Sequence, residues 1–339
     1  IDGVQRNADE VTSSEIAQIT YLKGANAVVL YGSRASNGVV LLTTKRGIIG
    51  DKKINVRLST GLSTPKSYPK YLGSAEYMTY YNQALRNDGI EIRYSDEDIY
   101  NHASGTNPFR YPDINYYSSD YLRKTFNTYS ATADFTSGSE RAQFYANAGF
   151  ERQNSLLNFG EGKNEGSNRF NIRGNVDLKL SDFIKSYTNV SAVFYDTRYA
   201  KGNYWQQASV IQPHRFAPLI PISMVDPNSG SMNLVNTSNN IIGGKYLLGG
   251  SQEYLTNPIA DVYAAGFGKY TSRQRQFTTG LDIDLDMLLE GLSAHGQFIM
   301  DYSTHYTETI DKGYAVYQPV WANYTDGNVI VSLNKLNKD

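Results

Sequence analysis

Four histidines, three alternating aspartates and one aromatic-rich segment are the residues of this chain whose types and spacing could do chemistry. The histidines are His102, His214, His295 and His305. His295 and His305 share the polar phase of one alternating segment, but ten strand residues put them about 33 Å apart. One metal ion cannot bridge that distance. Asp282, Asp284 and Asp286 line one face of a strand beside a tight turn. A calcium site or an acid–base pair needs a converging loop or an opposed carboxylate, which a straight strand does not supply. The segment GNYWQQASVIQPHRFAP, residues 202 to 218, is the richest. Tyr204 and Trp205 have rings to stack on a sugar, with His214 and Arg215 as hydrogen-bond donors. Ordinary loop packing uses the same residues, and both readings stay open. No nucleophile elbow or Ser-His-Asp pattern is present. With no cysteine, thiolate chemistry and disulfides are excluded. The sequence gives no reason to expect an enzyme, a metal or a cofactor.

The stretch KGANAVVLYGSRASNGVVLLTTKRG, residues 23 to 47, has the small residues and glycines of a phosphate loop. Its spacing fits neither G-x-x-x-x-G-K-S/T nor G-x-G-x-x-G, so a nucleotide site is not expected. The 32 basic and 33 acidic residues of the 339-residue chain nearly cancel, which removes the electrostatic reason to expect nucleic acid.

Most of the chain alternates with a period of two. Ile54, Val56 and Leu58 alternate with Lys53, Asn55 and Arg57. Phe170, Ile172, Val176, Leu178 and Leu180 alternate with Arg169, Asn171, Arg173, Asn175, Asp177 and Lys179. The same rhythm recurs near 128–137, 141–152, 184–197, 272–287 and 292–309. Seven strands result, each with one apolar and one polar face. Their connections alternate between tight turns (138–140, 181–183, 287–291) and long links (62–127, 153–167, 198–271), as in an up-and-down membrane barrel. Before them, residues 1 to 50 read as a compact α/β piece. Ser13 or Ser14 would cap a short helix over EIAQ, ITYLKG reads as a strand, ANAVVLYG as one or two helical turns, and VVLLTTK as a buried strand after an Asn37-Gly38 turn.

Alternation alone fits a soluble β-sandwich equally well, with the apolar set inside. Aromatic height separates the two. Tyr129, Phe150, Phe170, Phe194, Phe277 and Tyr302 recur nine to eleven residues from the tight turns, as a girdle at a membrane interface would. The apolar face is therefore expected to meet lipid and the polar face an enclosed, hydrated space. Seven strands cannot close in hydrocarbon, so the chain reads as a piece of a longer one.

The motif ITYLKGANAVVLYGSRASNGVVLLTTKRG, with IDGV before it, resembles the end of the plug domain of TonB-dependent outer-membrane transporters, and in particular the SusC-like branch of Bacteroidetes. The resemblance is specific over residues 1 to 47 and looser over 124–196 and 256–309. It implies a mostly β fold: residues 1–50 as the C-terminal part of a plug, and residues 51–339 as the N-terminal part, about seven or eight strands, of an antiparallel barrel of 22 with long extracellular loops. It implies import of a bulky nutrient, a glycan oligosaccharide or a peptide, under a SusD-like lipoprotein lid. TonB would supply the energy through a segment upstream of Ile1. Gly24, Gly32, Asn37 and Gly38 match the plug's turns, and Tyr31 and Arg34 match positions expected to tie plug to wall. Asp282, Asp284 and Asp286 would then meet plug arginines. The competing reading is a soluble or surface glycan-binding sandwich.

Overall fold

The computed structural model describes residues 1–322 and 328–337. A small N-terminal unit comes first. β1 (Ile16–Leu22) and β2 (Val39–Thr44) pair antiparallel, with α1 (Ala25–Tyr31) between them. Gly24, Gly32 and Gly38 all take positive φ at the ends of these elements. At Gly38 the requirement is double, because an added Cβ would also lie 2.9 Å from the Leu22 carbonyl oxygen. The helix expected over EIAQ does not form. A single 3₁₀ turn spans Ser13–Glu15, and β1 begins at Ile16. Glu15 closes that turn by accepting from the Thr12 amide at 2.6 Å and its hydroxyl at 2.9 Å, so the start signal lies at Thr12 rather than at either serine.

The main sheet follows. β3 (Gly50–Ser63) leads into a long arm carrying α2 (Ser74–Asn87) and α3 (Asp96–Ser104). β4 (Phe126–Gly138), β5 (Ala142–Asn154), β6 (Gly166–Lys179) and β7 (Ile184–Ala200) then run up and down. A second arm carries α4 (Tyr204–Val210), β8 (Leu219–Pro221), α5 (Ser231–Asn236), β9 (Tyr246–Leu248) and α6 (Pro258–Ala264). β10 (Gly266–Asp284) and β11 (Ser293–Asp311) complete the sheet, and β12 (Tyr317–Trp321) pairs with β13 (Ile330–Lys335) beyond it. The seven long strands pair antiparallel with their sequence neighbours, in the order β11-β10-β7-β6-β5-β4-β3. The sheet is open among the described residues, with β3 and β11 as its edges.

Burial is inverted relative to a soluble sheet. Asn147, Asn171, Arg173, Asn175, Asn189 and Thr278 are buried, Arg173 at 3% exposure and Asn175 at 0%. Phe144, Phe150, Phe170, Ile172, Val190 and Phe298 lie on the opposite face and are bare, Phe170 at 42%. The N-terminal unit covers the polar face. No second sheet covers the apolar one among the described residues, so a contiguous apolar band crosses all seven strands. Soluble monomers rarely expose so large a patch. Outward positions run from Leu180 to Phe170, ten residues, or about 33 Å of strand. At the tilt of roughly 40° that membrane strands adopt, this gives about 25 Å of height, the thickness of a barrel's apolar band.

Among the six rings expected to form a girdle, Phe150 opposes Phe170, which opposes Phe194, so three lie in one cross-strand row. Phe194, however, opposes Arg273, while Phe277 opposes Val190, four residues nearer the short turns. Tyr129 and Tyr302 are also displaced from the row, opposing Arg152 and Arg275. In strands tilted by roughly 40°, directly opposed residues differ in height by about 3 Å per strand, so a register row and a girdle level are different lines.

The two arms, the link between β5 and β6 and the β12–β13 hairpin fold together into a crown with cores of its own. Tyr116, Leu122, Leu157, Phe159, Tyr204, Ile259 and Val262 form one, and Ile220, Val235, Leu247, Tyr317 and Ile330 another. No described helix is long and apolar enough to cross a membrane, which says nothing about strands.

Candidate functional site

The most constrained polar chemistry lies where the N-terminal unit meets the sheet. Glu15 is placed by its 3₁₀ turn over the middle of β6. Its Oε1 accepts from Arg173 Nε at 3.3 Å and from Asn171 Nδ2 at 3.2 Å. Asn175 donates to Thr44 Oγ1 at 3.0 Å and to the Lys45 carbonyl at 2.7 Å. Arg46 reaches Asp177 at 3.1 Å and Asn189 at 2.7 Å. Further along, Arg6 grips Asp301 through two nitrogens at 2.6 and 2.9 Å, and donates to Thr278. Arg169 donates to the Asp9 carbonyl at 2.6 Å, and Gln276 donates to Glu10. A buried charge is tolerable only when paired and hydrogen-bonded. The arrangement is a polar latch holding the unit against the wall. Gly47, where the chain leaves the unit, runs against β5 so closely that a Cβ would lie 2.3 Å from the Phe144 amide nitrogen.

The arginine–aspartate contacts expected at Asp282, Asp284 and Asp286 do not form. Asp282 sits 2.6 Å from His295 Nδ1 on the neighbouring strand, Asp284 accepts from the Asp286 amide, and Asp286 accepts from the Gly291 amide. The arginines of the N-terminal unit find Asp177 and Asp301 instead. Arg34 lies within reach of Gln5 at 3.4 Å, inside its own unit, and Tyr31 is exposed. Among the described residues, the ties to the sheet come from Arg6, Asp9, Glu10, Glu15, Thr44, Lys45 and Arg46. The Thr12-x-x-Glu15 spacing was a legible signal for Glu15. Its partner on β6, more than 150 residues away, had none.

The structure separates the four residues of the 202–218 segment. Tyr204 is buried at 4% exposure, with its hydroxyl donating to the Tyr116 carbonyl at 2.5 Å, so its ring is core and is not free to stack on a ligand. His214 is likewise buried. Its Nε2 meets the Tyr94 hydroxyl at 2.8 Å, and its ring stacks on Tyr77 at 5.0 Å. Burial, with neighbouring Arg215 adding to it, holds the imidazole pKa down to about 4. Arg215 is engaged with Glu253 at 3.1 Å and Gln212 at 2.8 Å. Trp205 alone remains open, at 40% exposure. Its ring lies 6.2 Å from Tyr117, which in turn stacks on exposed Tyr71 at 5.8 Å. Helix spacing explains the split: adjacent Tyr204 and Trp205 point about 100° apart on α4, so one faces the core and the other solvent. Tyr71 and Tyr117 sit on the first arm, and nothing local in the sequence joins them to Trp205.

The seven long strands thus form a wide antiparallel sheet with an apolar outer face and a polar face latched to a small α/β unit. Comparisons with known proteins agree. The chain is 25% identical to TonB-dependent receptor P26 of Formosa agariphila over 317 residues, covering 86% of this chain and 29% of that receptor. It is 39% identical to the TonB-dependent receptor SusC of Bacteroides thetaiotaomicron over 85 residues, 24% of this chain and 8% of that protein. Among solved structures, the RagAB peptide transporter matches 91% of this chain with a TM-score of 0.63 at 18% identity, covering 34% of the transporter chain. No family model matches. The resemblance to SusC-like TonB-dependent transporters is thus borne out, and the chain spans less than a third of the length of the receptors it resembles.

Proposed function

We propose that this chain forms plug and wall of a TonB-dependent importer that carries a bulky nutrient across a bacterial outer membrane. Residues 1–50 act as the C-terminal part of the plug, and residues 51–339 as the N-terminal part of the barrel, with its long arms outside the cell. The observation that carries this reading is the inverted burial of the sheet, with Arg173 and Asn175 enclosed and Phe150, Phe170 and Ile172 bare. In hydrocarbon those polar groups would cost several kcal/mol each, and in water the apolar band would aggregate. The similarity to TonB-dependent receptors supports it. A soluble glycan-binding sandwich needs a cover for the apolar face, and no described element provides one.

The cargo is a glycan oligosaccharide or a peptide; the peptide option draws support from the RagAB importer. A SusD-like lipoprotein closes over the crown, and TonB drives the cycle. Trp205, flanked by Tyr117 and Tyr71, is the aromatic shelf on which cargo rests. Tyr204, His214 and Arg215 support it from within the crown. Expressing the full gene and fractionating the membranes tests the reading. A detergent-requiring, heat-modifiable outer-membrane band is expected. A monodisperse product that stays soluble without detergent overturns it.

A further inference from the structure

We propose that the polar face of β7, β10 and β11 carries a ladder of rings, Tyr199, Tyr270, Tyr195 and His305, along which an uncharged oligosaccharide descends from the crown toward the latch. The inference rests on the importer reading and adds to it a cargo site apart from Trp205. Successive side chains on one face of a strand are two residues apart, about 6.6 Å. Tyr199 opposes Gly268 at the crown end, and Tyr270 opposes Thr197 one level down. Tyr195, Ser272 and His305 share the level after that. Gln276 and Asp301, which hold Glu10 and Arg6, lie two levels lower still. The ladder therefore fills the stretch of wall between the crown and the N-terminal unit.

The rings are set in place before any ligand arrives. Tyr199 lies flat across β10, so that a Cβ added at Gly268 would run into its Cζ and hydroxyl. Glycine inside a strand weakens a sheet and marks a close approach, and here it makes room for the ring. Tyr199 is still 37% exposed. Tyr270 lies nearly parallel to His305, with centroids 5.9 Å apart and 13° between the planes, and its hydroxyl is 2.8 Å from His305 Nδ1. Tyr195 meets Tyr270 edge-on at 6.3 Å.

The surroundings select the cargo. Ser272, Gln274, Thr197 and Thr307 share the face and supply neutral hydrogen-bonding groups beside rings that stack on the C–H face of a sugar. Glu151 and Arg169 oppose each other at the level of Tyr195. Above Tyr199, Lys201 pairs with Asp311 at 2.7 Å, and Glu165 accepts from the Ser155 hydroxyl and the Ala200 amide. Arg169 and Lys201 thus stand against Glu151, Glu165 and Asp311, a balance that disfavours an acidic chain. A peptide captured by strand addition needs a free strand edge. β7 and β10 are paired on both sides and offer none.

The test uses the full-length protein in detergent, with an array of neutral and acidic oligosaccharides and a library of short peptides as probes. The wild type should retain neutral oligosaccharides. Tyr199→Ala/Tyr270→Ala should weaken that binding by on the order of tenfold. Gly268→Ala keeps every ring but lifts Tyr199 off the strand, and it should weaken binding in the same direction, while Tyr199→Phe should preserve it. The heat-modifiable outer-membrane band should be unchanged in all three variants. Undiminished binding in the double variant overturns the ladder and leaves the importer reading standing. Wild-type capture of peptides alone, a preference for acidic sugars, or no sugar binding at all overturns it equally. Absence of the heat-modifiable band in the wild type removes the importer reading and this proposal together.

Discussion

Arg173 Nε donates to Glu15 Oε1 across 3.3 Å, with both side chains only 1% exposed, and the two residues belong to different units of the fold. Removing one partner leaves the other charge buried without compensation, which costs about 3–5 kcal/mol, whereas removing both costs far less. Glu15→Ala should therefore loosen the N-terminal unit from the wall, and Glu15→Ala/Arg173→Ala should partly restore it. Hydrogen exchange of the β2 amides reads the difference. Equal protection in the wild type and Glu15→Ala would show that the pair does not hold the unit.

Val176 lies midway down the outward phase of β6, and Asn175 beside it points inward. Val176→Arg should cost about 2–4 kcal/mol of folding stability in a bilayer. On a solvent-facing surface the same change stays within about 0.5 kcal/mol. Urea unfolding of the full-length protein in liposomes, followed by the gel shift on heating, distinguishes the two.

Trp205 and Tyr204 should behave oppositely despite being neighbours. Trp205→Ala should weaken cargo binding by roughly tenfold or more, with the crown's exchange protection unchanged. Tyr204→Ala opens a cavity in the crown core and should cost about 3–5 kcal/mol of its local stability. If Trp205→Ala leaves binding and growth on the cognate nutrient intact, the aromatic shelf has no part in recognition.

His214, on the second arm, meets Tyr77 of α2 and Tyr94 just before α3. Its folded pKa of about 4 lies below the ordinary histidine value of 6.5, so the folded arm prefers the neutral ring. That preference is fully present above pH 6.5 and is lost progressively as the pH falls toward 4. By pH 5 it should cost the docked arm about 2 kcal/mol. Burial lowers the His102 pKa as well, in the same direction. Proteolysis within 62–127 should accelerate between pH 7 and 5, and His214→Phe should flatten that dependence. An unchanged profile in the variant would mean that another group governs it.

Period-two alternation made the seven long strands legible, together with their turns and the face each side chain takes, because side-chain direction on a strand follows from position alone. Gly24, Gly32 and Gly38 were legible for a similar reason, since local backbone geometry demands them. The relations that make the site were not. Glu15 and Arg173, Arg6 and Asp301, and Trp205 and Tyr117 each meet across more than 85 residues, and only the folded chain brings them together. The breaks in the cross-strand ring row were hidden on the same ground, because no single strand carries its register with the next.

The crown closes its hydrophobic cores with residues of the arms, the β5–β6 link and the hairpin, apart from the bare band on the sheet. Natural variation can therefore reshape one without renegotiating the other. On the importer reading proposed above, a lineage under pressure to capture a new foodstuff can rewrite Trp205 and its neighbours while the seven-stranded scaffold stays as it is.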